Sequence, residues 1–193
     1  MSTQASTFLT PEQYLEIERQ AQYKSEYYQG QMFVMAGATE AHNLLVWNLS
    51  GELRQQLRKR PCKAYSSDMR VRVSATGLYT YPDVSAVCGE ARFADDQRDT
   101  LLNPSLIAEV LSPSTEAYDR GRKFEHYRSI DSLAEYLLVS SDRIQVELFA
   151  RQPDGHWLLR AASGPDAVIE LRSVECRLAL TDLYEKVELL SAG

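Results

Sequence analysis

The chain contains no apolar run approaching the ~20 residues that a membrane-spanning helix needs, so no membrane partner is expected. Its opening residues, MSTQASTFLTPEQ, lack the cationic segment followed by an apolar one that marks a secretory signal. The expected compartment is therefore the cytoplasm. Cysteine is scarce: Cys62, Cys88 and Cys176 are three in number, scattered, and without CxxC spacing. That pattern argues against a disulfide framework and against a zinc site, and the reading is of reduced, structural thiols. A surplus of positive charge is also missing. With 21 Lys and Arg against 27 Asp and Glu the net charge is −6, which counts against a protein that coats nucleic acid non-specifically. It leaves room for an enzyme with local basic contacts, whose metal-binding carboxylates would add negative charge of their own. Internal repeats and linkers are absent as well.

What is present is ordinary globular composition: 193 residues, 44% hydrophobic and 25% charged, enough to bury a core unaided. The reading is a single domain over 1–193, with residues 1–9 small, polar and disordered. Thr10-Pro11-Glu12-Gln13 reads as a capping box that starts a helix running to about Gln22. Residues 27–33 read as a hairpin turning at Gly30. Thr39 caps a long helix from Glu40 to about Arg58, with Leu45, Leu49, Leu53 and Leu57 recurring every four residues and Pro61 as its stop. Asp68–Val73 alternates as a strand, and Leu78–Cys88 is a second strand interrupted by Pro82. Residues 89–103 read as a surface loop. Ser105–Leu111 is a buried central strand, followed by a helix over Asp119–Ser129. Strands at 135–139, 144–149, 156–159, 168–171 and 176–180 come next, and a last helical turn or two covers Leu183–Leu190.

The strand 105–111 carries an anomaly. Its alternation puts Glu109 on one face with Ile107 and Leu111. A carboxylate between large apolar neighbours needs a proton, a cation or a metal, because burying it unpaired costs several kcal/mol. Pairing with an arginine, or a place near the strand end in water, would serve equally well on this strand's evidence. Tyr81-Pro82-Asp83-Val84 supplies a second carboxylate, 26 residues earlier. If the two strands pair, Asp83 and Glu109 converge, and two oxygen ligands suit a hard cation such as Mg²⁺. Lys123, on the border of the apolar stripe of the next helix, could turn back on its long stem to supply a cation. Its alternative is a solvated lysine on a charged helix face.

Pro82-Asp83 followed by Glu109-Val110-Leu111 resembles the PD-(D/E)XK nuclease superfamily. The chain is more closely similar to a large bacterial family of uncharacterised proteins provisionally grouped with the restriction endonucleases. The similarity runs through Glu26-Tyr27-Tyr28-Gln29-Gly30-Gln31, His42, Tyr81-Pro82-Asp83-Val84, Glu109–Thr115, Asp119–Tyr127 and Glu135–Val139. It implies an α/β (α+β) fold, with a restriction-endonuclease-like mixed central sheet flanked by helices and additional C-terminal antiparallel strands. It implies Asp83, Glu109 and Lys123 as catalytic residues, Asp83 and Glu109 as metal ligands, and Glu26 and His42 as accessory residues. The superfamily pattern places lysine two residues after the acid, where this chain has Leu111; similar families take it from the following helix, which points to Lys123. The function implied is Mg²⁺-dependent endonucleolytic hydrolysis of DNA, with Mn²⁺ able to substitute and a homodimer compatible. The alternative is a catalytically silent nuclease fold used for binding or assembly. Of two basic clusters, Arg120, Arg122 and Arg128 adjoin the proposed site and read as the DNA-facing surface. Arg54, Arg58, Lys59 and Arg60 read as a solvated helix end.

Overall fold

The computed structural model describes residues 8–189. Helix α1 (Pro11–Glu18) opens on the expected capping box, in which Thr10 and Gln13 each bond the other's backbone N–H. It stops at Glu18, short of Gln22. Strands β1 (Ser25–Tyr28) and β2 (Gln31–Val34) form the hairpin. Its two turn residues, Gln29 and Gly30, have φ of 47° and 82°, the left-handed pair that a tight hairpin needs. Of the stretch expected to be disordered, residues 1–7 lie outside the described residues. Leu9 is tied down, donating its N–H to the Gly30 carbonyl at 2.9 Å.

Helix α2 (Glu40–Leu57) is capped by Thr39 and buries Leu45, Leu49, Leu53 and Leu57, as their spacing requires. Strand β3 (Cys62–Ser66), absent from the sequence reading, returns beside it, and β4 (Arg70–Val73) follows. The stretch 78–88 is corrected from one interrupted strand to two strands in different sheets, β5 (Leu78–Thr80) and β6 (Val84–Cys88). Pro82 has no N–H to give a ladder, so the chain leaves one sheet and enters the other across Tyr81–Asp83. The crossing is anchored: the Tyr81 hydroxyl accepts from Arg70 Nε at 3.0 Å and donates to Glu18 Oε1 at 2.9 Å. Within the expected loop 89–103 a short β7 (Thr100–Leu101) pairs with β4.

Strand β8 (Leu106–Val110) is buried throughout. After it come α3 (Glu116–Tyr118), a π-helical turn (Asp119–Lys123) and α4 (Phe124–Tyr127) in one continuous helical segment. Strands β9 (Glu135–Val139), β10 (Gln145–Arg151) and β11 (Trp157–Ser163) lead to the hairpin of β12 (Val168–Leu171) and β13 (Cys176–Ala179). The last helix, α5, is Leu180–Leu183, earlier than the expected Leu183–Leu190, whose final residue lies outside the described residues.

The architecture is α+β with mixed sheets. A six-stranded sheet has the order β11-β10-β9-β8-β6-β3, antiparallel except for the parallel pair β8–β9. A five-stranded sheet has the order β2-β1-β5-β4-β7, and β12–β13 stand as a separate antiparallel pair. Side chains of the six-stranded sheet alternate between two cores. Ala108, Val110, Leu137 and Val139 pack under α2 and the C-terminal hairpin. Ile107, Leu111, Tyr136 and Leu138 pack on the other face with Tyr127 of α4. Glu109 falls on this second face, as alternation along the strand predicts.

The expectation of reduced thiols is corrected for two of the three cysteines. The β3–β6 register sets Cys62 directly opposite Cys88, and the two form a disulfide; Cys176 is free and buried. Strand pairing alone brings them together, which no CxxC spacing could have announced. Thiol titration of the unfolded protein should therefore find one thiol per chain before reduction and three after it. Replacing both cysteines by serine should lower stability by about 3.5 kcal/mol, from the chain entropy released in a ~26-residue loop; a urea unfolding curve measures it.

Candidate active site

Two junctions bring the acidic residues together. Asp83 immediately precedes β6, and Glu109 lies in β8, its antiparallel neighbour, with Val84 opposite Ala108. The two residues interlock. Asp83 Oδ2 accepts the Val110 N–H at 2.7 Å, and Glu109 Oε2 faces the Asp83 N–H at 3.4 Å. His42, in the first turn of α2, sets its Nε2 3.0 Å from Asp83 Oδ1. Both oxygens of Asp83 are thus fixed in direction, one by backbone and one by imidazole.

The other side of Glu109 is built by the π-helical segment. Tyr127 donates its hydroxyl to Glu109 Oε1 at 2.9 Å, and Lys123 Nζ lies 2.9 Å from the same oxygen. Lys123 also approaches Asp119 Oδ1 at 3.3 Å and Glu26 Oε1 at 3.6 Å. Glu26, from β1, is itself held by the hydroxyls of Thr80 and Tyr118. The structure therefore gathers Asp83, Glu109, Lys123, Glu26 and His42 around one point. Sequence reasoning missed Asp119, Tyr127, Tyr118 and Thr80. Asp119 and Tyr127 stand four residues before and after Lys123, a spacing that puts them on its helix face and could have flagged both.

The expectation that Lys123 lies at a helix border is corrected. Its side chain is only 6% exposed, and three carboxylates surround it. Their four-residue spacing sets Asp119 and Lys123 on one side of the segment, and both are buried within the π-helical turn. Arg120, on the outer side, is bound by Glu116 and by Glu147, so its charge is already compensated. Arg122 is exposed.

The electrostatics are unbalanced. Glu26, Glu109 and Asp119 share a single ammonium, and Asp83 is held by His42 and the Val110 N–H. Burial raises the Glu109 carboxyl to about 8, with Asp119 and Asp83 adding to the effect and Lys123 opposing it. Asp119 is raised by the same cause, again against Lys123. Burial disfavours the charged form of Lys123, but Glu109, Asp119 and Glu26 outweigh it and hold the ammonium protonated. Tyr127 is pushed well up by burial and by Glu109, so it remains a hydrogen-bond donor. Among the described residues no group of three or more His, Cys, Asp or Glu is placed to hold a metal ion. Asp83 and Glu109 are neighbouring carboxylates, linked through the N–H groups of Asp83 and Val110. The fit to a hard divalent cation is good in chemistry: two neighbouring carboxylates in a site short of positive charge suit an ion that keeps waters in its remaining positions.

A carboxyl raised in the folded state binds more protons there than in the unfolded chain. Without metal, the Glu109 contribution to stability is full below its ordinary value of 4.5 and is lost as pH rises towards about 8. Denaturant midpoints in EDTA should fall across that window. Glu109→Gln should flatten the decline, and a wild-type profile parallel to that of Glu109→Gln would contradict the assignment.

Comparisons with known proteins identify the family and the fold. The Uma2 family, described as "Putative restriction endonuclease", matches residues 11–181. Two relatives come from Synechocystis sp. (strain ATCC 27184 / PCC 6803 / Kazusa). "Uncharacterized protein sll1609" is 40% identical over 170 residues, 88% of this chain and 96% of that protein. "Uncharacterized protein slr1290" is 37% identical over 178 residues, 91% of each. Among solved structures, a crystal structure described as "a putative nuclease belonging to DUF820", from Anabaena variabilis ATCC 29413, has the same fold. Its TM-score is 0.74 at 17% identity, covering 93% of this chain and 99% of that one. On the family match and on both relatives, the chain belongs to the Uma2 family, and it shares the fold of that solved structure.

Proposed function

We propose that the protein is a divalent-metal-dependent endonuclease that hydrolyses DNA phosphodiester bonds, using Mg²⁺ with Mn²⁺ as a substitute. One observation carries the reading: Asp83, Glu109 and Lys123, which sequence places on three different elements, meet at one buried, electron-rich point. Asp83 and Glu109 would hold the ion. Bound there, it would supply a Lewis acid for a phosphate oxygen and a water of lowered pKa. The chain's own groups do the rest. His42 and the Val110 N–H orient Asp83, and Tyr127 orients Glu109. Lys123 is the fixed positive charge available to stabilise negative charge developing on the transferred phosphate. Glu26, on the far side of the ammonium, holds it in place.

The silent-fold reading also has an observation behind it. All the close neighbours of the Lys123 ammonium are carboxylates, so in this arrangement its hydrogens are spent on the protein. A plasmid-nicking assay separates the two readings. Wild type should nick DNA with Mg²⁺ or Mn²⁺ and not in EDTA. Asp83→Ala should lose Mn²⁺ binding by calorimetry and at least 10²-fold in rate. Lys123→Met should lose about 10²–10³-fold, the usual worth of one charge-stabilising donor, while keeping Mn²⁺ binding. A folded wild type that binds Mn²⁺ and nicks nothing would leave the silent fold standing. Because Lys123 is buried among carboxylates, its replacement should also cost stability, contrary to what a border lysine would do.

A further inference from the structure

The chain is acidic overall, yet residues 53–67 hold five cations, Arg54, Arg58, Lys59, Arg60 and Lys63, and no acid. Arg54, Arg58, Lys59 and Lys63 have no ion-pair partner among the described residues, while Arg60 meets Glu175. By contrast, Arg120 near the site is doubly neutralised. Arg54 lies in α2 and Arg58 is its C-cap. The helix positions 43, 47, 50, 54 and 58 recur at the three- and four-residue steps that make one stripe, turned away from the buried leucines. That stripe reads Asn43, Trp47, Ser50, Arg54 and Arg58. Trp47 is 77% exposed, more than any other large hydrophobic side chain among the described residues.

The stripe borders a groove of about 430 Å³ between α2 and β3, lined by Ser50, Arg54, Arg58, Cys62, Ala64 and Ser66 among others. Both walls lead to the active site. The first turn of α2 carries His42, which contacts Asp83, and the last residue of β3, Ser66, pairs with Val84 beside Asp83. At the helical rise, Trp47 lies about 7 Å along the axis from His42, Arg54 about 18 Å and Arg58 about 24 Å. Trp47 stands outside this lining on the same stripe, and an exposed aromatic in line with groove-lining arginines is an arrangement that stacks a base and tracks a phosphate backbone.

We propose that this α2–β3 groove is the binding track for a single nucleic-acid strand: Trp47 stacks on a base, and Arg54 and Arg58 hold phosphates as the strand runs from the site. The inference rests on the nuclease reading for the strand's destination, but its test does not need cleavage. It also moves the nucleic-acid surface from the Arg120–Arg122 cluster to the cluster first read as a solvated helix end.

The test uses a Trp157→Phe background, which leaves Trp47 as the single tryptophan, and titrates the oligothymidylate dT20 in EDTA. Expected is quenching of Trp47 emission, with an affinity that falls steeply with salt. Arg54→Glu with Arg58→Glu should raise Kd at least tenfold and reduce the log–log salt slope by about 1.4, the value for two lost phosphate contacts on a single strand. Arg122→Glu with Arg143→Glu, the same charge change elsewhere, should raise Kd less than threefold. Trp47→Ala should weaken binding without changing the slope. The proposal is overturned if dT20 produces no quenching at low salt, or if the Arg54/Arg58 variant titrates like its parent. It is also overturned if blunt duplex or polyglutamate of equal charge binds as tightly as dT20. Nicking by the same preparations, assayed with Mn²⁺, reports separately on the nuclease reading.

Discussion

The structure depends on how one ammonium is shared. Lys123 stands in a buried site among Glu109, Asp119 and Glu26, with Asp83 beyond. Alternation along β8 forces Glu109 into the second core, between Ile107 and Leu111, where water cannot solvate it. A charge in that position has to be compensated. The neighbouring elements supply the compensation from several directions: Lys123 and Tyr127 from the helical segment, and the Asp83 N–H from the strand junction. The carboxylates of the site outnumber the ammonium beside them, and burial leaves Glu109 holding its proton well above the usual carboxylate range.

The second constraint is the break at Pro82. By moving from the five-stranded to the six-stranded sheet between Thr80 and Val84, the chain fixes three residues in turn. Thr80 grips Glu26 on one side, Tyr81 locks into Glu18 and Arg70 in the middle, and Asp83 reaches Val110 and His42 on the other. The proline that weakens a strand here sets the position of the carboxylate after it.

Much of this was legible beforehand, and the reasons for the rest are physical. Capping boxes, leucine periodicity and alternation are local signals, and they located α1, α2 and the facing of Glu109. The β3 strand was missed because Cys62–Ser66 has neither strong alternation nor a distinctive turn before it; it exists by pairing with β6. The disulfide was missed for the same reason, being a product of that register. Lys123 was found from its place on the helix after the Glu109 strand and supported by the resemblance, while its burial depends on carboxylates that other elements bring to it. Charge count alone also misled at Arg120, whose partners Glu116 and Glu147 lie on different elements.

The π turn carries a consequence for how this segment can vary. Five residues, Asp119–Lys123, occupy it, and Gly121 in its middle faces open space. Substitutions at Gly121 meet no neighbour, so the turn tolerates changes of composition. It does not tolerate changes of length. Losing one residue there would let the segment close as a regular helix, and it would change which side chains of the turn point at the site. The chemistry of this segment is therefore written in its residue count as much as in its residues.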